Sequence, residues 1–407
     1  MRILIVTDSY PPELRSAAQL MADLAEGLVP HGHDVTVATT FPGYNLASGT
    51  TGADVPEEEV LNGVRVVRVD VPAHHRVNYV VRGINQILLP RIFLSAVSKK
   101  ISGSFDRVIV HSPPLPLALA AARFSKHYGA TFVANVHDIF PQNGIDLVSW
   151  WQKPLIRIAF EGMERSVYRS ADIIVVPSEN HAQYLRDKRG VSSTKLHVIP
   201  HWIDAGPYDA AMPSGRFRKA WGLEGKFVFF FGGVLGPSQG LDMILDAADF
   251  LRSVSDVRFL FVGDGTARLR LERIVTERKL GNVLFRPFVT SKDYAELVKE
   301  MDVCVATLTS KNTTPAVPAK LMGYMAAGAP VVVAVHRESD AIRIVEEAKC
   351  GFATVSDSSQ KVRAAFKNAL DQRAQLPNLG ANGRRYLEEN FSKTKLILEW
   401  DRVLGAI

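Results

Sequence analysis

Two kinds of residue in this chain are suited to chemistry, and the first is a lysine at the start of a short helix. Lys320 follows Pro318 in residues 318–332, Pro-Ala-Lys-Leu-Met-Gly-Tyr-Met-Ala-Ala-Gly-Ala-Pro-Val-Val. Proline favours the first turn of a helix, and Gly328 favours a left-handed helix end. Unpaired amides and a cation at one helix N-terminus bind anions. We therefore expect Lys320 to contact an anionic group, with a merely solvated lysine as the alternative.

A glycine-rich turn forms a second anion-binding pattern. Gly232, Gly233 and Gly236 follow the apolar run Phe229–Phe231, and we expect a helix to begin at about Ser238. Glycines let a phosphate approach the backbone closely, and the helix dipole favours negative charge at that point. Together with the lysine described above, the turn predicts a binding site for a diphosphate.

A histidine at the end of a strand is the second kind of residue suited to chemistry. His137 follows the predicted strand Thr131–Val136 and precedes Asp138 and Pro141. Ligands of open parallel sheets lie at the carboxyl ends of the strands. We therefore predict that His137 faces a ligand, with a structural histidine as the alternative.

Several function classes are excluded by missing patterns. The turn after the first strand, Asp8–Glu13, has no glycine, which excludes the nicotinamide dinucleotide fingerprint. No Asp-x-Asp, metal-ligand spacing of His and Cys, or nucleophile elbow occurs, so we expect neither a metal ion nor a cofactor. The two cysteines, Cys304 and Cys350, indicate buried thiols in a reducing cytoplasm.

The elements that must position these residues follow an alternating pattern. At 407 residues, with 47% hydrophobic and 22% charged content, the chain is long enough for two domains with filled cores. Apolar β-branched runs alternate with helical periodicity, which predicts an α/β fold of two Rossmann-like, doubly wound parallel sheets facing a cleft. We predict one domain at residues 1–203, a second at 204–388, and a C-terminal helix, 389–407, that crosses back to the first.

The sequence pattern also predicts the individual elements. The predicted strands of the first domain are Ile3–Thr7, Val35–Thr39, Val64–Val69, Val108–His111, Thr131–Val136, Ile173–Val176 and His197–Ile199. Those of the second domain are Phe227–Phe231, Arg258–Val262, Val283–Arg286, Val303–Ala306 and Val331–Ala334. Residues 47–59 are predicted to form a loop. In the helix after Pro318, five residues are expected to pack inward: Ala319, Leu321, Met322, Met325 and Ala326.

The net charge of +6 is concentrated in one part of the chain. Nine Lys and Arg residues but only two acids lie between Val64 and Arg123, with no nucleic-acid motif among them. Within this part, Val77–Leu94 is rich in large apolar residues and basic at its flanks. A basic amphipathic helix can lie in the headgroup layer of an anionic membrane, so we predict membrane contact, with a helix packed on the first sheet as the alternative.

The expected location of the protein is the cytoplasm, at the inner face of the plasma membrane. No run of eighteen apolar residues is present, so no transmembrane span is expected. The first residues read as a buried strand and lack the features of a signal peptide.

These motifs resemble those of retaining GT-B glycosyltransferases of the family 4 type, which build bacterial O-antigen, capsule or exopolysaccharide. Residues 318–332 are similar to the donor-site helix of that family. Tyr10-Pro-Pro and the segment Gly32–Val37 are similar to its opening, and Phe261–Gly265 to one of its strand-end turns. The chain departs from the family pattern at Pro315 and Gly323, where relatives carry two glutamates that hold the donor.

The resemblance implies retaining transfer of a sugar from a nucleotide-diphosphate donor to a lipid-linked saccharide. It implies that His137 contacts the donor sugar and that Lys320 faces the leaving diphosphate, which makes them the catalytic candidates. The expected donor-binding residues are Gly232, Gly233, Gly236, Ser238, Pro287, Phe288, Thr314 and Leu321. The expected acceptor-binding residues are Tyr10, Arg15 and Ser16. A solvated turn is the alternative for the acceptor residues, and a core position is the alternative for Phe288.

Two other functions are compatible with the same architecture. A non-hydrolysing nucleotide-sugar 2-epimerase would need clustered carboxylates and histidines for acid and base catalysis. A catalytically silent GT-B scaffold would bind partners in a glycan assembly complex. Binding of nucleotides distinguishes the scaffold from the enzymes.

Overall fold

The chain forms two compact units. The computed structural model describes residues 1–13, 15–43, 46, 55–71 and 79–406, with side chains for all of these except 79–84, 86, 87, 147 and 291. The first unit comprises Met1–His201 and Lys393–Ile407, and the second comprises Trp202–Ser392. Within the described residues, we find no helix whose length and apolar character would allow it to span a bilayer.

The described part of the first unit contains an eight-stranded sheet. Its strands are β1 (Arg2–Val6), β2 (Asp34–Thr40), β3 (Glu58–Leu61), β4 (Val64–Val69), β5 (Arg107–Ser112), β6 (Thr131–Val136), β7 (Ile173–Val176) and β8 (Leu196–Val198). The strand order is β3-β4-β2-β1-β5-β6-β7-β8, and only β3 and β4 pair in antiparallel fashion. Its helices are α1 (Ser16–Leu28), α2 (Tyr79–Lys100), α3 (Leu115–Tyr128), α4 (Gln142–Leu147), α5 (Lys153–Ser170) and α6 (Glu179–Arg189).

The second unit contains a six-stranded parallel sheet with the order β11-β10-β9-β12-β13-β14. The strands, from β9 to β14, are Phe227–Gly232, Val257–Val262, Val283–Arg286, Val303–Thr307, Val331–Val335 and Gly351–Val355. The helices, from α7 to α15, are Gly206–Ala210, Arg216–Ala220, Asp242–Phe250, Arg268–Glu277, Ser291–Lys299, Ala319–Ala326, Ala341–Ala348, Ser359–Asp371 and Leu376–Asn390. The last helix, α16 (Lys393–Gly405), belongs to the first unit.

These sheets confirm the predicted α/β fold. Strands rich in β-branched and aromatic residues are buried on both faces because helices cover both sides of a parallel sheet. Every residue of β9 is buried, and so is every residue of β12 and β13. Both cysteines are buried free thiols, as expected.

Two edge strands were not predicted from the sequence. β3 falls partly in the expected loop at residues 47–59, of which 47–54 lie outside the described residues. The missed signal is the dipeptide Asn62-Gly63, which joins β3 to β4 with positive φ angles of 49° and 84°. Asn-Gly favours such tight hairpin turns. The other missed strand, β14, is only partly buried, so its apolar pattern is weaker than that of the central strands.

Helix α2 packs on the first unit through part of its described side chains, which agrees with the alternative to membrane contact. Leu89, Phe93 and Val97 are buried in the core of the first unit. Residue 77 lies outside the described part, as do the side chains of residues 79–84, 86 and 87. Leu88 is nevertheless 41% exposed, and the prediction of membrane contact for this segment stays a prediction.

Helix α16 packs on the first unit through apolar and charged contacts. Trp400 and Leu404 are buried, and Lys393 Nζ lies 2.6 Å from Asp23 Oδ1 on α1. His33 Nε2 lies 2.7 Å from Asp401 Oδ1. These contacts hold the end of the chain against the unit in which the chain begins.

Helix α12 carries the lysine singled out above. Pro318 precedes its first residue, and Gly328 has a φ of 67° just beyond its end, as predicted. Leu321 and Met325 are buried, but Ala319 is exposed, so the expectation that it packs inward was wrong. A residue in the first turn of a helix has no preceding turn to pack beside it, which leaves Ala319 at the surface.

The glycine in α12 is explained by a tyrosine. A Cβ atom at Gly323 would lie 2.6 Å from Tyr208 Oη, whereas the next nearest atom, Tyr208 Cζ, would be 3.6 Å away. Tyr208 is buried in the same core cluster, and burial raises the pKa of its phenol to about 12. The phenol therefore occupies the space that a side chain at position 323 would need.

We predict that the effect of Gly323→Ala on stability changes sign with the residue at position 208. In the wild type the new methyl group meets the Tyr208 hydroxyl, so the unfolding midpoint should fall. In the Tyr208→Phe background that hydroxyl is absent, and the helix propensity of alanine should stabilise the protein by about 1 kcal/mol. Urea denaturation of the four proteins measures the cycle.

Gly162→Ala is the matched control, since Gly162 is a helical glycine whose Cβ would meet no atom within 4 Å. It should stabilise both backgrounds equally. Equal effects of Gly323→Ala in the two backgrounds would show that Tyr208 does not exclude a side chain there.

Candidate functional site

The lysine of α12 lies beside the point where the strand order of the second sheet reverses. β9 is flanked by β10 on one side and by β12 on the other, so the loops after β9 and β12 emerge side by side. Lys320 Nζ lies 4.1 Å from the ring centroid of Phe231 and donates a hydrogen bond to Gln239 Oε1. The stem of the lysine passes close to Gly233, whose Cβ would lie 3.6 Å from Lys320 Cε.

Partial burial without a counterion changes the chemistry of this lysine. Desolvation lowers the pKa of Lys320 to about 7. Among the described residues no carboxylate forms an ion pair with it, and its hydrogen-bond partner is the neutral amide of Gln239. An anion bound at this position would become its charge partner and raise its pKa again.

The glycine turn allows two strand ends to approach each other. Gly263 has a φ of 152°, and a Cβ atom there would clash with the carbonyl oxygen of Gly233. The amide of Gly233 donates to Val262 O at 2.9 Å, and the amide of Leu235 donates to Asp264 O at 2.9 Å. This turn therefore requires glycine because the two backbones lie too close together to leave space for a Cβ atom.

The donor-binding role of the glycine turn stays a prediction, and the helix expected after it begins later than predicted. The amide of Gly232 donates to Tyr324 Oη at 3.1 Å, so neither it nor the amide of Gly233 is available as an open phosphate cradle. The helix expected at Ser238 is only a 3₁₀ turn, Pro237–Gln239, and α9 begins at Asp242. Gly240, with a φ of 62°, separates the two.

Side chains and backbone tie the loops after β9 and β12 together. Thr307 Oγ1 donates to Gln239 O at 2.6 Å, and the amide of Thr309 donates to Ser238 O at 2.9 Å. Gly236 lies in the same loop, in extended backbone, immediately before the 3₁₀ turn. These bonds hold Gln239 where it can accept the hydrogen bond of the lysine.

The remaining donor candidates differ in exposure. Phe288 is 54% exposed, which rejects the core alternative, and Pro287 beside it is also exposed. Both follow β11, which lies two strands away from the reversal. Thr314 is buried, and its carbonyl accepts a hydrogen bond from His336 Nε2 at 2.7 Å. Leu321 is fully buried, so its side chain is not available to a ligand. Its backbone, in the first turn of α12, remains the donor-binding candidate.

The first sheet brings histidines together at its own reversal of strand order, between β1 and β5. His111 lies near the end of β5, and His137 follows the adjacent strand β6. Their ring centroids are 4.3 Å apart with an edge contact, and His201 stacks on His137 at 4.1 Å. The amide of His137 donates to Ser112 O at 3.0 Å, which continues the pairing of the two strands to His137.

Burial keeps these three rings neutral. Desolvation lowers the pKa of His111 to about 4, partly offset by Asp8, and lowers the pKa of His201 to about 4. Desolvation and the neighbouring His201, His111 and His181 hold the pKa of His137 well below its ordinary value. A neutral imidazole offers one donor and one acceptor nitrogen, so the cluster can form hydrogen bonds with a polar ligand without carrying charge.

The acceptor candidates lie in the loop after β1. Arg15 Nη1 is 3.3 Å from Asp8 Oδ2 and 3.6 Å from Glu13 Oε2, so two carboxylates already face its charge. Ser16, the first residue of α1, is exposed. Tyr10 is buried, and its hydroxyl has no hydrogen-bond partner among the described residues. The structure thus brings Arg15 and Asp8 to the edge that also carries His111 but places Tyr10 in the core.

Sequence reasoning missed four residues of these sites. Gln239 accepts the hydrogen bond of the lysine, and His111 and His201 surround His137. The sequence contained a signal for His111, which occupies a predicted strand end, and for His336, which directly follows β13. The roles of Gln239 and His201 depend on long-range packing and have no local signal. Among the described residues, no group of three or more His, Cys, Asp or Glu side chains has an arrangement that could hold a metal ion, and this includes the three clustered histidines.

We predict that the histidine cluster makes the fold sensitive to acid. The unfolded rings titrate near pH 6.5 and the folded His111 and His201 near pH 4, so the unfolded state binds more protons in this window. The free energy of unfolding should therefore fall between pH 6.5 and 4, by on the order of 3 kcal/mol for each ring. Urea denaturation at several pH values measures this loss.

His201→Phe keeps a ring against His137 but cannot be protonated, so it should reduce the loss at low pH. His127→Phe, at an exposed histidine, is the control and should leave the loss unchanged. A pH dependence identical in the wild type and His201→Phe would contradict the prediction.

The comparisons with known proteins agree with this architecture. Residues 17–202 match the family described as "Glycosyl transferase 4-like domain", and residues 214–386 match "Glycosyl transferases group 1". The Escherichia coli K12 protein WcaI, named as a colanic acid biosynthesis glycosyl transferase, is 23% identical over 98% of both chains.

Solved structures show the same fold. Sucrose-phosphate synthase from Thermosynechococcus elongatus superimposes with a TM-score of 0.78 at 16% identity, covering 100% of this chain and 98% of that one. Anabaena HepE in complex with UDP-glucose superimposes with a TM-score of 0.73 at 18% identity, covering 100% of both chains. The chain therefore belongs to the GT-B glycosyltransferases, with a glycosyl transferase 4-like domain followed by a group 1 domain.

Proposed function

We propose that this glycosyltransferase moves a sugar from a nucleotide-diphosphate donor to a saccharide acceptor with retention of the anomeric configuration. The observation that carries the proposal is Lys320, a half-buried cation with no carboxylate partner among the described residues, at the strand reversal of the group 1 domain. A diphosphate is the ligand whose charge and size fit such a group at a helix N-terminus. The complex of HepE with UDP-glucose supports a donor of this class.

The chemistry requires stabilisation of the departing diphosphate. In an oxocarbenium-like transition state, negative charge develops on the leaving group, and a preorganised cation stabilises it there. Lys320 and the first-turn amides of α12 supply this positive field. Because the diphosphate leaves readily, the reaction needs no strong general acid, in contrast to glycoside hydrolysis.

The two domains divide the substrates. The second domain, residues 204–388, binds the nucleotide, and the exposed ring of Phe288 is available to pack on the base. The first domain, residues 1–203, binds the acceptor through the loop after β1, with Arg15 and Ser16 at its rim. Tyr10 supports that loop from the core.

His137 contacts the donor sugar near its reacting carbon. His111 and His201 hold its ring by an edge contact and a stacked contact, so its orientation is fixed before substrate binds. The neutral state of the cluster lets an imidazole nitrogen accept or donate a hydrogen bond to a sugar hydroxyl. A charged ring would instead repel the developing oxocarbenium ion.

The acceptor is a lipid-linked saccharide in bacterial surface polysaccharide synthesis, at the cytoplasmic face of the plasma membrane. The similarity to WcaI over nearly the full length supports a role in polysaccharide synthesis. We propose that transfer needs no metal ion, so a chelator should leave the rate unchanged. The epimerase and the silent scaffold are not favoured, since the similar proteins are named as transferases and synthases.

The test of this function is a donor screen. Titration calorimetry with nucleoside diphosphates and their sugar conjugates identifies the base, and transfer to a lipid-linked saccharide then identifies the sugar. NMR of the product reports the anomeric configuration. Binding of no nucleotide would end the proposal, and an inverted product would refute retention alone.

We predict that Lys320→Ala lowers kcat by roughly two orders of magnitude, because one preorganised charge contact stabilises a transition state by about 3 kcal/mol. The exposed lysine variant Lys361→Ala is the control and should retain full activity. Wild-type turnover of purified Lys320→Ala would contradict the assignment.

A second readout tests the same lysine without turnover. Because the pKa of the free lysine is about 7, binding of a diphosphate near pH 8 should take up close to one proton per site. Calorimetry in buffers of different ionisation enthalpy measures this uptake. Lys320→Met should abolish it, and proton release on binding would show that the lysine does not meet the diphosphate.

We predict that His137→Ala retains nucleotide affinity but loses transfer, because His137 belongs to the other domain. His137→Phe keeps a ring between His111 and His201 and should be equally inactive if a ring nitrogen contacts the sugar. Restored activity in His137→Phe, or unfolding of both variants, would indicate a structural role.

A further inference from the structure

A cluster of exposed apolar side chains lies on the first unit, at the start of α5. Of the twelve large apolar residues exposed among the described ones, four fall between residues 150 and 158. They are Trp150 (82% exposed), Trp151 (63%), Leu155 (70%) and Ile158 (82%). Two adjacent exposed tryptophans beside two aliphatic residues form a local patch of the kind that marks an interaction site.

The opposite side of α5 is firmly held in the fold. Val167 and Tyr168 are buried in the core, and the ring of Phe160 contacts that of Phe140 at 5.0 Å. Arg189 Nε lies 2.9 Å from both carboxylate oxygens of the buried Glu164. The exposed patch is therefore displayed by an anchored helix.

One stripe of α5 connects the apolar patch to a basic groove. Leu155, Ile158, Gly162, Arg165 and Arg169 follow one another at intervals of three and four, so they share one face of the helix. An open groove of about 440 Å³ lies at the far end of this stripe, lined by Gly162, Arg165, Ser166, Arg169 and Ser170. We call Trp150, Trp151, Leu155, Ile158, Arg165 and Arg169 the tryptophan face.

The charge of this surface is positive. Four cations lie along α5, at Lys153, Arg157, Arg165 and Arg169. The exposed side of the helix has one carboxylate, Glu161, which lies 3.7 Å from Arg157 and 3.8 Å from Arg165. The other acid of the helix, Glu164, faces inward.

We propose that the tryptophan face docks on an anionic phospholipid surface. Indole rings favour the membrane interface, where the ring is apolar and its N–H remains hydrated. Leu155 and Ile158 would enter the same layer, while Arg165 and Arg169 meet lipid phosphates as guanidinium groups do, with paired hydrogen bonds. Charge complementarity therefore favours anionic lipid over an apolar protein groove or a second copy of this positive surface.

This surface is distinct from the α2 segment, which packs Leu89, Phe93 and Val97 into the core of the first unit. It would hold the enzyme where a lipid-linked acceptor lies. The inference does not depend on the proposed reaction, because its test measures binding to lipid without donor or acceptor.

The test is co-sedimentation of the full chain with vesicles of phosphatidylcholine, with and without phosphatidylglycerol, at low and high salt. The wild type should bind the anionic vesicles at low salt and lose most of that binding at high salt. Trp150→Ser with Trp151→Ser should weaken binding about tenfold or more at both salt concentrations, since it removes apolar insertion. Arg165→Glu with Arg169→Glu should weaken it mainly at low salt.

Matched controls separate this face from nonspecific effects. Met212→Ser with Leu269→Ser removes two apolar residues of similar exposure from the second unit and should leave binding unchanged. Fluorescence adds a local readout, since Trp202 and Trp400 are buried. Brominated lipid should quench the wild type more than the double tryptophan variant.

Three outcomes would overturn the proposal. The first is failure of the wild type to bind anionic vesicles at low salt, and the second is equal binding of the tryptophan variant and the wild type. The third is a wild-type dimer that the tryptophan substitutions convert to a monomer without any change in vesicle binding. That result would assign the face to contact between copies of the chain.

Discussion

The carboxyl edges of two parallel sheets, at the points where strand order reverses, determine where each site of this protein lies. β9 and β12 are neighbours in the second sheet although more than one strand separates them in the sequence, so the loops that follow them must meet. The bonds from Thr307 to Gln239 and from Thr309 to Ser238 are the result. In the first sheet the corresponding reversal lies between β1 and β5, and it brings Asp8 near His111. This strand order brings together side chains from segments that are distant in the sequence.

Desolvation lowers the pKa of basic groups in both sites. Lys320 and the three clustered histidines are basic groups in partly or fully desolvated positions, and their pKa values are lowered in consequence. Lys320 has an amide and an aromatic ring as neighbours. An anionic ligand would favour the charged form of such a group near neutral pH, whereas the histidines can remain neutral hydrogen-bonding groups. One physical effect therefore supports two different chemical roles.

Departures from a family pattern can be compensated by packing. Gly323 and the phenol of Tyr208 fill one space between them, so the absence of a side chain in α12 is matched by a ring from α7. The glycines after β9 likewise serve contacts between backbones, since their amides are bonded to Val262 and Tyr324. A motif that reads as a phosphate cradle can thus be retained for the approach of strands. The positive charge that we propose for a diphosphate is that of Lys320 and the N-terminus of α12.

The sequence by itself determined the α/β class, the central strands and the helix that carries Lys320. These features depend on local patterns, such as buried β-branched runs, a proline before a helix and a glycine after it. It also placed His137 at a strand end. It did not determine the partners of these residues, nor that Tyr10 is buried and Phe288 exposed. It also left open that Trp150 and Trp151, which precede α5, are exposed to solvent. Those properties depend on which segments become neighbours in the fold. Strand order and the burial of one helix face decide this, and both are set by contacts between residues that are distant in the sequence.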